Sequence, residues 1–265
     1  MWTRLTALTI AISLSFVGWI WARGTVPAFV GRYEDIRYLD EQGRQDGGFT
    51  FARLVYNGHI RGYYKNWYTD YPKGDRQLIG ILSRLTGVDI ASEERAIPVR
   101  HPDLFNYPFV YSVEGGQMSL EWSDARILRE YLDRGGFWMI DDFWGPAEWS
   151  QFALAIEKVF PDRSIVDVPL AHPVFHSFYD IDEIVQVPNI GYAYCHVNCS
   201  TVEQGGDRPS VRGIFDDQNN LRVLINFNTD LMDAAEWADD PRYPHRFSDY
   251  SYRSFSNAVI YSLTH

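Results

Sequence analysis

The stretch Gly135-Gly136-Phe137-Trp138-Met139-Ile140-Asp141-Asp142-Phe143-Trp144-Gly145 constrains the fold more than any other part of this chain. It reads as a helix stop at Gly135, then a short apolar strand of the kind buried on both faces, then two carboxylates where the strand runs out. A helix restarts at Gly145-Pro146, with proline in its first turn. In open α/β sheets, ligands bind in the crevice outside the carboxyl ends of the strands. Asp141 and Asp142 are therefore candidate ligand-binding residues by position. Successive strand residues point to opposite faces, so the two need not act together. One can enter the crevice while the other caps the helix that starts near Pro146.

The same alternation runs along the rest of the chain. Residues 49–56 read as a first strand, and a helix begins at about Asp75 with Leu78, Ile81, Leu82 and Leu85 on one face. Residues 109–113 read as a second strand, closed by Glu114-Gly115-Gly116. A helix over 120–133 carries Ala125, Leu128 and Leu132. The helix after Pro146 has the cleanest apolar stripe: Trp149, Phe152, Ala153, Ile156, Val159 and Phe160. Residues 165–168 and 221–227 read as strands, and 252–263 as a closing helix. Strand alternating with helix predicts an α/β fold, doubly wound, with a mostly parallel sheet and helices on both faces.

Other polar groups fall at predicted strand ends. Asp70 follows Trp67-Tyr68-Thr69 in the loop after the first strand, where it is either a ligand contact or a turn aspartate before Tyr71-Pro72. Glu114 stands beside two glycines that let a ligand approach the backbone; otherwise it is a solvated turn residue. Asn228 and Asp230 close the strand over 221–227, with an Asx turn as their structural role. His172, in Ala-His-Pro-Val-Phe, is a candidate base or ligand and otherwise a structural histidine. No set of metal ligands and no cofactor is assigned.

Composition narrows the classes. The formal net charge of −11 argues against nucleic acid, which needs clustered Lys and Arg, and against electrostatic attachment to anionic lipid. Hydrophobic residues make up 46% of the 265 positions, enough for a full core. Nine tryptophans within a 16% aromatic content are read mainly as core anchors, with a sugar-stacking surface as the less common use. Arg4, an uncharged run from Leu5 to Trp21 and the small-x-small end Ala22-Arg23-Gly24 describe a secretory signal peptide over residues 1–24. Uncleaved, that run is an N-terminal anchor with Trp19 and Trp21 at the interface, and the chain touches membrane only there. The expected location is outside the cytoplasm, in the periplasm. Residues 25–48 are a lead-in, and 49–265 the domain proper. In an oxidising compartment Cys195 and Cys199 form a candidate local disulfide; a site using both thiolates and His196 lacks a fourth ligand.

No glycine-rich phosphate loop, nucleophile-elbow serine or His-Glu-x-x-His motif is present. Several motifs in order do resemble a family. They are Phe51-Ala-Arg-Leu with Tyr56, Trp67-Tyr-Thr-Asp-Tyr-Pro72, Tyr107-Pro108-Phe109, Leu128-Arg-Glu-Tyr-Leu132 with Gly135-Gly136-Phe137, Asp141-Asp-Phe-Trp-Gly145 and His172-Pro-Val-Phe175. From residue 49 to the C-terminus the chain is similar to the bacterial domain of unknown function 4159 family. The resemblance implies a flavodoxin-like fold akin to class I glutamine amidotransferases and the trehalose-utilisation family. It does not imply their chemistry, because Asp141-Asp142 stand where an amidotransferase carries its cysteine nucleophile. The expected function is an exported domain holding a small polar ligand, such as a carbohydrate, at the strand-end crevice. Two alternatives are a metal- or carboxylate-dependent hydrolase using Asp142 and His172, and an assembly module that meets another envelope protein.

Overall fold

The computed structural model describes residues 48–58, 67–194 and 200–265. The expected signal or anchor, the lead-in before Gly48 and the Cys195–Cys199 pair lie outside the described residues. In chain order the elements are β1 Ala52–Val55, α1 Lys73–Leu85, β2 Arg95–Pro98, β3 Phe109–Ser112, α2 Trp122–Asp133, β4 Phe137–Ile140 and α3 Gly145–Val159. There follow β5 Val166–Asp167, α4 Ile190–Ala193, β6 Ser210–Phe215, β7 Leu221–Phe227, α5 Leu231–Glu236 and α6 His245–Thr264.

The seven strands form one sheet in the order β2-β1-β3-β4-β7-β6-β5. The first five of that series run parallel to one another. β6 and β5 add antiparallel strands at the far edge. This corrects the expectation of strand regularly alternating with helix. β6 and β7 are joined by the tight turn after Phe215, in which the Asp216 N–H bonds the Asn220 carbonyl (2.9 Å), and so short a connection permits only an antiparallel pair. β2 and β6 also went unread: Arg95-Ala-Ile-Pro98 is too short and mixed to signal a strand, and Ser210–Phe215 is interrupted by Arg212-Gly213.

Burial explains the central strands. Phe51, Phe109, Tyr111 and Phe137 form a chain of ring contacts that continues to Phe255 and Tyr261 of α6. The alternate residues Val110, Trp138 and Ile140 are equally buried, so both faces of the sheet are covered. α1 packs with α5 and α6, and α2 packs with α3. The α1 face is rotated from its expected phase: Asp75, Leu78, Ile79 and Leu82 are buried, whereas Leu85 is exposed. α6 begins seven residues before the expected start. The Gly135 stop is as read: the Gly135 and Gly136 N–H groups bond the Leu132 and Tyr131 carbonyls (both 3.0 Å), closing the helix in a Schellman turn with Gly135 at φ +96°.

One polar residue organises the front of this core. Arg53, wholly buried on β1, bonds Asp75 of α1 through Nε (3.1 Å) and Nη2 (2.5 Å). Its Nη1 donates to the Trp67 carbonyl (3.1 Å) and the Thr69 carbonyl (2.5 Å). The guanidinium also lies over the rings of Tyr111 and Tyr71. Burial works against its charge, but Asp75, Tyr111 and Asp70 more than offset this and hold its pKa above the ordinary arginine value. Removing one partner of a buried ion pair leaves an uncompensated charge and typically costs about 3–5 kcal/mol. Denaturant unfolding of Arg53→Met should show a loss of that order, and Arg53→Met combined with Asp75→Leu should recover most of it. Equal losses in the single and double variants would contradict this account of the pair.

Candidate functional site

The loops at the carboxyl ends of β1, β3, β4 and β7 converge, and each places an acidic or amide residue in left-handed backbone. These are Asp70 (φ +63°), Glu114 (+55°), Asp142 (+53°) and Asn228 (+58°). They are four of the six non-glycine residues with positive φ among the described residues. Aspartate and asparagine tolerate this region better than most residues; glutamate less so. Backbone of this kind concentrates at functional sites, where the surrounding structure holds it in place.

Several of the expected site residues are bonded within the protein. Asp141 is wholly buried and accepts the Leu231 N–H of α5 on both oxygens (3.0 and 3.2 Å) and the Tyr111 hydroxyl on Oδ2 (3.3 Å). It is therefore the anchor of α5. Asp142 Oδ1 accepts the Trp144 indole N–H (3.0 Å). Neither aspartate caps α3, contrary to expectation: Asn228 Oδ1 accepts the Gly145 N–H (2.9 Å) and Glu148 Oε2 the Trp144 N–H (2.7 Å). With its Nδ2 given to the Arg208 carbonyl (2.7 Å), Asn228 is a latch between loops. Asp230 is the N-cap of α5, accepting the Asp233 N–H (3.0 Å).

Glu114 is buried too, so the solvated-turn role does not apply. Its glycines serve packing rather than ligand approach: a Cβ on Gly115 would stand 2.7 Å from Ile140 Cγ2, and one on Gly116 2.4 Å from Glu148 Cβ. His172 lies at the other end of the sheet. Its ring packs on Phe215 and Tyr261, and Tyr261 contacts Phe137 and accepts the Leu221 N–H, the residues that begin β4 and β7. His172 Nδ1 accepts the Val174 N–H (3.2 Å), which makes it a turn cap, and burial together with His265 lowers its pKa. The structure does not bring His172 to Asp142.

What the crevice does gather is carboxylates. Asp70, Asp141, Asp230 and Asp233 all have pKa values well above the ordinary 3.8, in each case first through burial and then through one another and their acidic neighbours. Asp142 acts on all four. Asp233 and Glu236 were not singled out from the sequence. One oxygen from each of Asp70, Asp233 and Glu236 lies within 4.8 Å of the others, a group that could hold a metal ion. Asp233 and Glu236, three apart on α5, share a helix face. The spacing Asp230-x-x-Asp233-x-x-Glu236 was the available signal.

A family model described as a domain of unknown function (DUF4159) matches residues 50–263. The chain belongs to this family. No curated protein matches it. Membership carries the α/β domain and no activity, so chemistry has to come from the crevice itself.

The cluster gives a direct expectation for Asp230. Asparagine caps a helix as well as aspartate does, so Asp230→Asn keeps the bond to the Asp233 N–H while removing a buried negative charge. Thermal unfolding should show a gain of about 0.5–2 kcal/mol for Asp230→Asn, against a loss of similar size for Asp230→Ala, which deletes the cap. A destabilised Asp230→Asn would mean that the carboxylates are mutually compensated rather than in conflict.

Proposed function

We propose that this domain binds a small polar, hydroxyl-rich ligand, a carbohydrate or related polyol, in the crevice at the carboxyl ends of β1, β3, β4 and β7. The observation that carries this reading is the convergence of carboxylates from three different strand ends: Asp70 after β1, Asp142 after β4, and Asp230, Asp233 and Glu236 after β7. Ionised carboxylates are pure acceptors and protonated ones add a donor, which together suit the hydroxyls of a polyol. An anionic ligand would meet repulsion here. Half-buried Tyr194 and Trp237, with ring centroids 6.5 Å apart, stand near one another beside Tyr243, with Arg242 over the first ring and Lys73 over the second.

The order β2-β1-β3-β4-β7 of the parallel strands supports a flavodoxin-like core related to the class I glutamine amidotransferase-like superfamily, with β6 and β5 appended. In that order the strand direction of travel reverses at β1 and β3, and Asp70 and Glu114 follow those two strands. The proposal extends to an exported, periplasmic domain, on the strength of the N-terminal sequence pattern alone. A hydrolase pairing Asp142 with His172 has no geometric support. A second reading, attachment to another envelope protein, draws on Trp122 and Leu154, which are 65% and 59% exposed beside a cavity of about 480 Å³ between α3 and the segment that leads into α2.

Isothermal titration with glucose, trehalose and galacturonate tests the ligand class. Saturable binding of a neutral saccharide, weakened at least about tenfold in Asp70→Asn, is expected, with galacturonate the weakest of the three. Absence of binding by both neutral sugars, or preference for the anionic one in chelating buffer, would refute the reading.

A further inference from the structure

The Asp70, Asp233 and Glu236 group has features that a ligand-free role does not explain. Asp233 is only 5% exposed, and its Oδ2 has no hydrogen-bond partner among the described residues. The same is true of Asp70 Oδ2. A third buried group lies in the field of the same carboxylates. Tyr243, 2% exposed, lies between α5 and α6, and its hydroxyl also lacks a partner among the described residues. The carboxylates that act on that hydroxyl are Asp233, Asp230 and Asp70, in that order after burial itself. Buried polar atoms are almost always satisfied, so an orphaned, buried Asp233 oxygen within a cluster of three carboxylates calls for a missing partner.

Among the described residues, the two cations that act on this group, Arg53 on Asp70 and Glu236 and Lys73 on Glu236, have their closest partners outside it. Arg53 is bound by Asp75 and two carbonyls. Lys73 pairs with Asp239 (3.0 Å) and sits over the Trp237 ring. We infer that Asp70, Asp233 and Glu236 form a binding site for a hard divalent cation, Ca²⁺ or Mg²⁺, with the Tyr243 hydroxyl directed at a water carried by the ion.

The donor set is all oxygen and carries no nitrogen or sulfur, which selects hard cations over Zn²⁺ or Cu²⁺. Oxygens that bind one such ion at about 2.1–2.5 Å lie no more than about 5 Å apart, and the three carboxylate oxygens already meet that limit. Two of the ligands come from one face of α5, and Asp70 comes from the loop that Arg53 holds through the Trp67 and Thr69 carbonyls. The site thus joins β1 to β7 across the crevice. A cation there also fits a polyol: hydroxyl oxygens can complete its coordination sphere. The inference rests on the crevice being a ligand site, and it supplies that site with a positive centre.

The test is calorimetric titration of the full chain, freed of metal with a chelator, using CaCl₂ and MgCl₂ separately. One of the two should bind saturably, with a Kd in about the micromolar to millimolar range. Asp233→Asn and Glu236→Gln, which remove a charge at nearly constant shape, should each weaken binding at least about tenfold, and Tyr243→Phe by a smaller factor. Asp162→Asn, a distant surface carboxylate paired with Arg129, controls for overall charge and should leave binding unchanged. Anomalous diffraction from wild-type crystals soaked in MnCl₂ should place one peak among Asp70, Asp233 and Glu236, independently of how any variant folds. No saturable binding by either ion, binding unaffected by Asp233→Asn and Glu236→Gln, or a peak elsewhere would overturn the inference. Saccharide titration with and without chelator separates this from the ligand proposal. Sugar binding that persists in chelator while no metal binds refutes the cation site alone. Metal binding without sugar binding refutes the saccharide alone.

Discussion

The buried Arg53 guanidinium is the interaction on which the rest of the site depends. It leaves the first strand of a parallel sheet, where a charge would ordinarily be excluded, and is kept charged by Asp75 on the helix that follows. Its remaining donors are used on two backbone carbonyls, those of Trp67 and Thr69. The loop between β1 and α1 is thereby fixed at the residue before Asp70, whose left-handed backbone turns its carboxylate toward α5. One ion pair therefore sets strand, helix and site loop in register. Its benefit is geometric precision, since buried ion pairs contribute little net stability against a well-packed apolar alternative.

The other side of the crevice is positioned by different means. Asp141 holds the first turn of α5 through the Leu231 N–H, and Asp230 caps the same turn. That leaves Asp233 and Glu236, further along, to face Asp70. Asp141 and Asp142 divide the labour: Asp141 points into a helix terminus, while Asp142, in left-handed backbone beyond β4, acts on Asp70, Asp141, Asp230 and Asp233.

Much of this was legible in the sequence, and the reasons are physical. α2 and β4 carry strong signals, namely helical spacing of Ala125, Leu128 and Leu132, a glycine stop and a continuous apolar strand, and β7 carries the mainly apolar run Leu221–Phe227. The strand-end rule pointed to Asp70, Asp141, Asp142 and Asp230, which the structure brings close enough to act on one another's ionisation. It pointed equally to Asn228 and Glu114, and strand position does not say whether a side chain is already engaged by protein. Asn228 turned out to hold Gly145 and Arg208. His172 fell to the wrong end of the sheet, since a loop histidine carries no mark of which edge its loop returns to. Asp233 and Glu236 were missed because α5 is six residues long and has too few turns to show a periodic face. Arg53 was visible only as part of a family motif; nothing local distinguishes a buried arginine in a strand from an edge-strand one.

The central claim is that the crevice carboxylates are held in mutual conflict for a ligand and are not there to stabilise the fold. Stability as a function of pH, measured by denaturant unfolding in chelating buffer, tests it most directly. Asp70, Asp141, Asp230 and Asp233 have folded-state pKa values raised above 3.8, so the folded protein retains protons that the unfolded chain releases. Their contribution is fully present below the ordinary carboxylate value and is lost as pH rises through the folded-state values. The unfolding free energy should therefore increase as pH falls from neutral to mildly acidic. Below that range, protonation of the paired carboxylates Asp162, Asp216 and Asp240, whose pKa values are lowered, turns it down. A free energy that is flat or falls between neutral and mildly acidic pH would contradict the claim and return these residues to the ordinary structure of the fold.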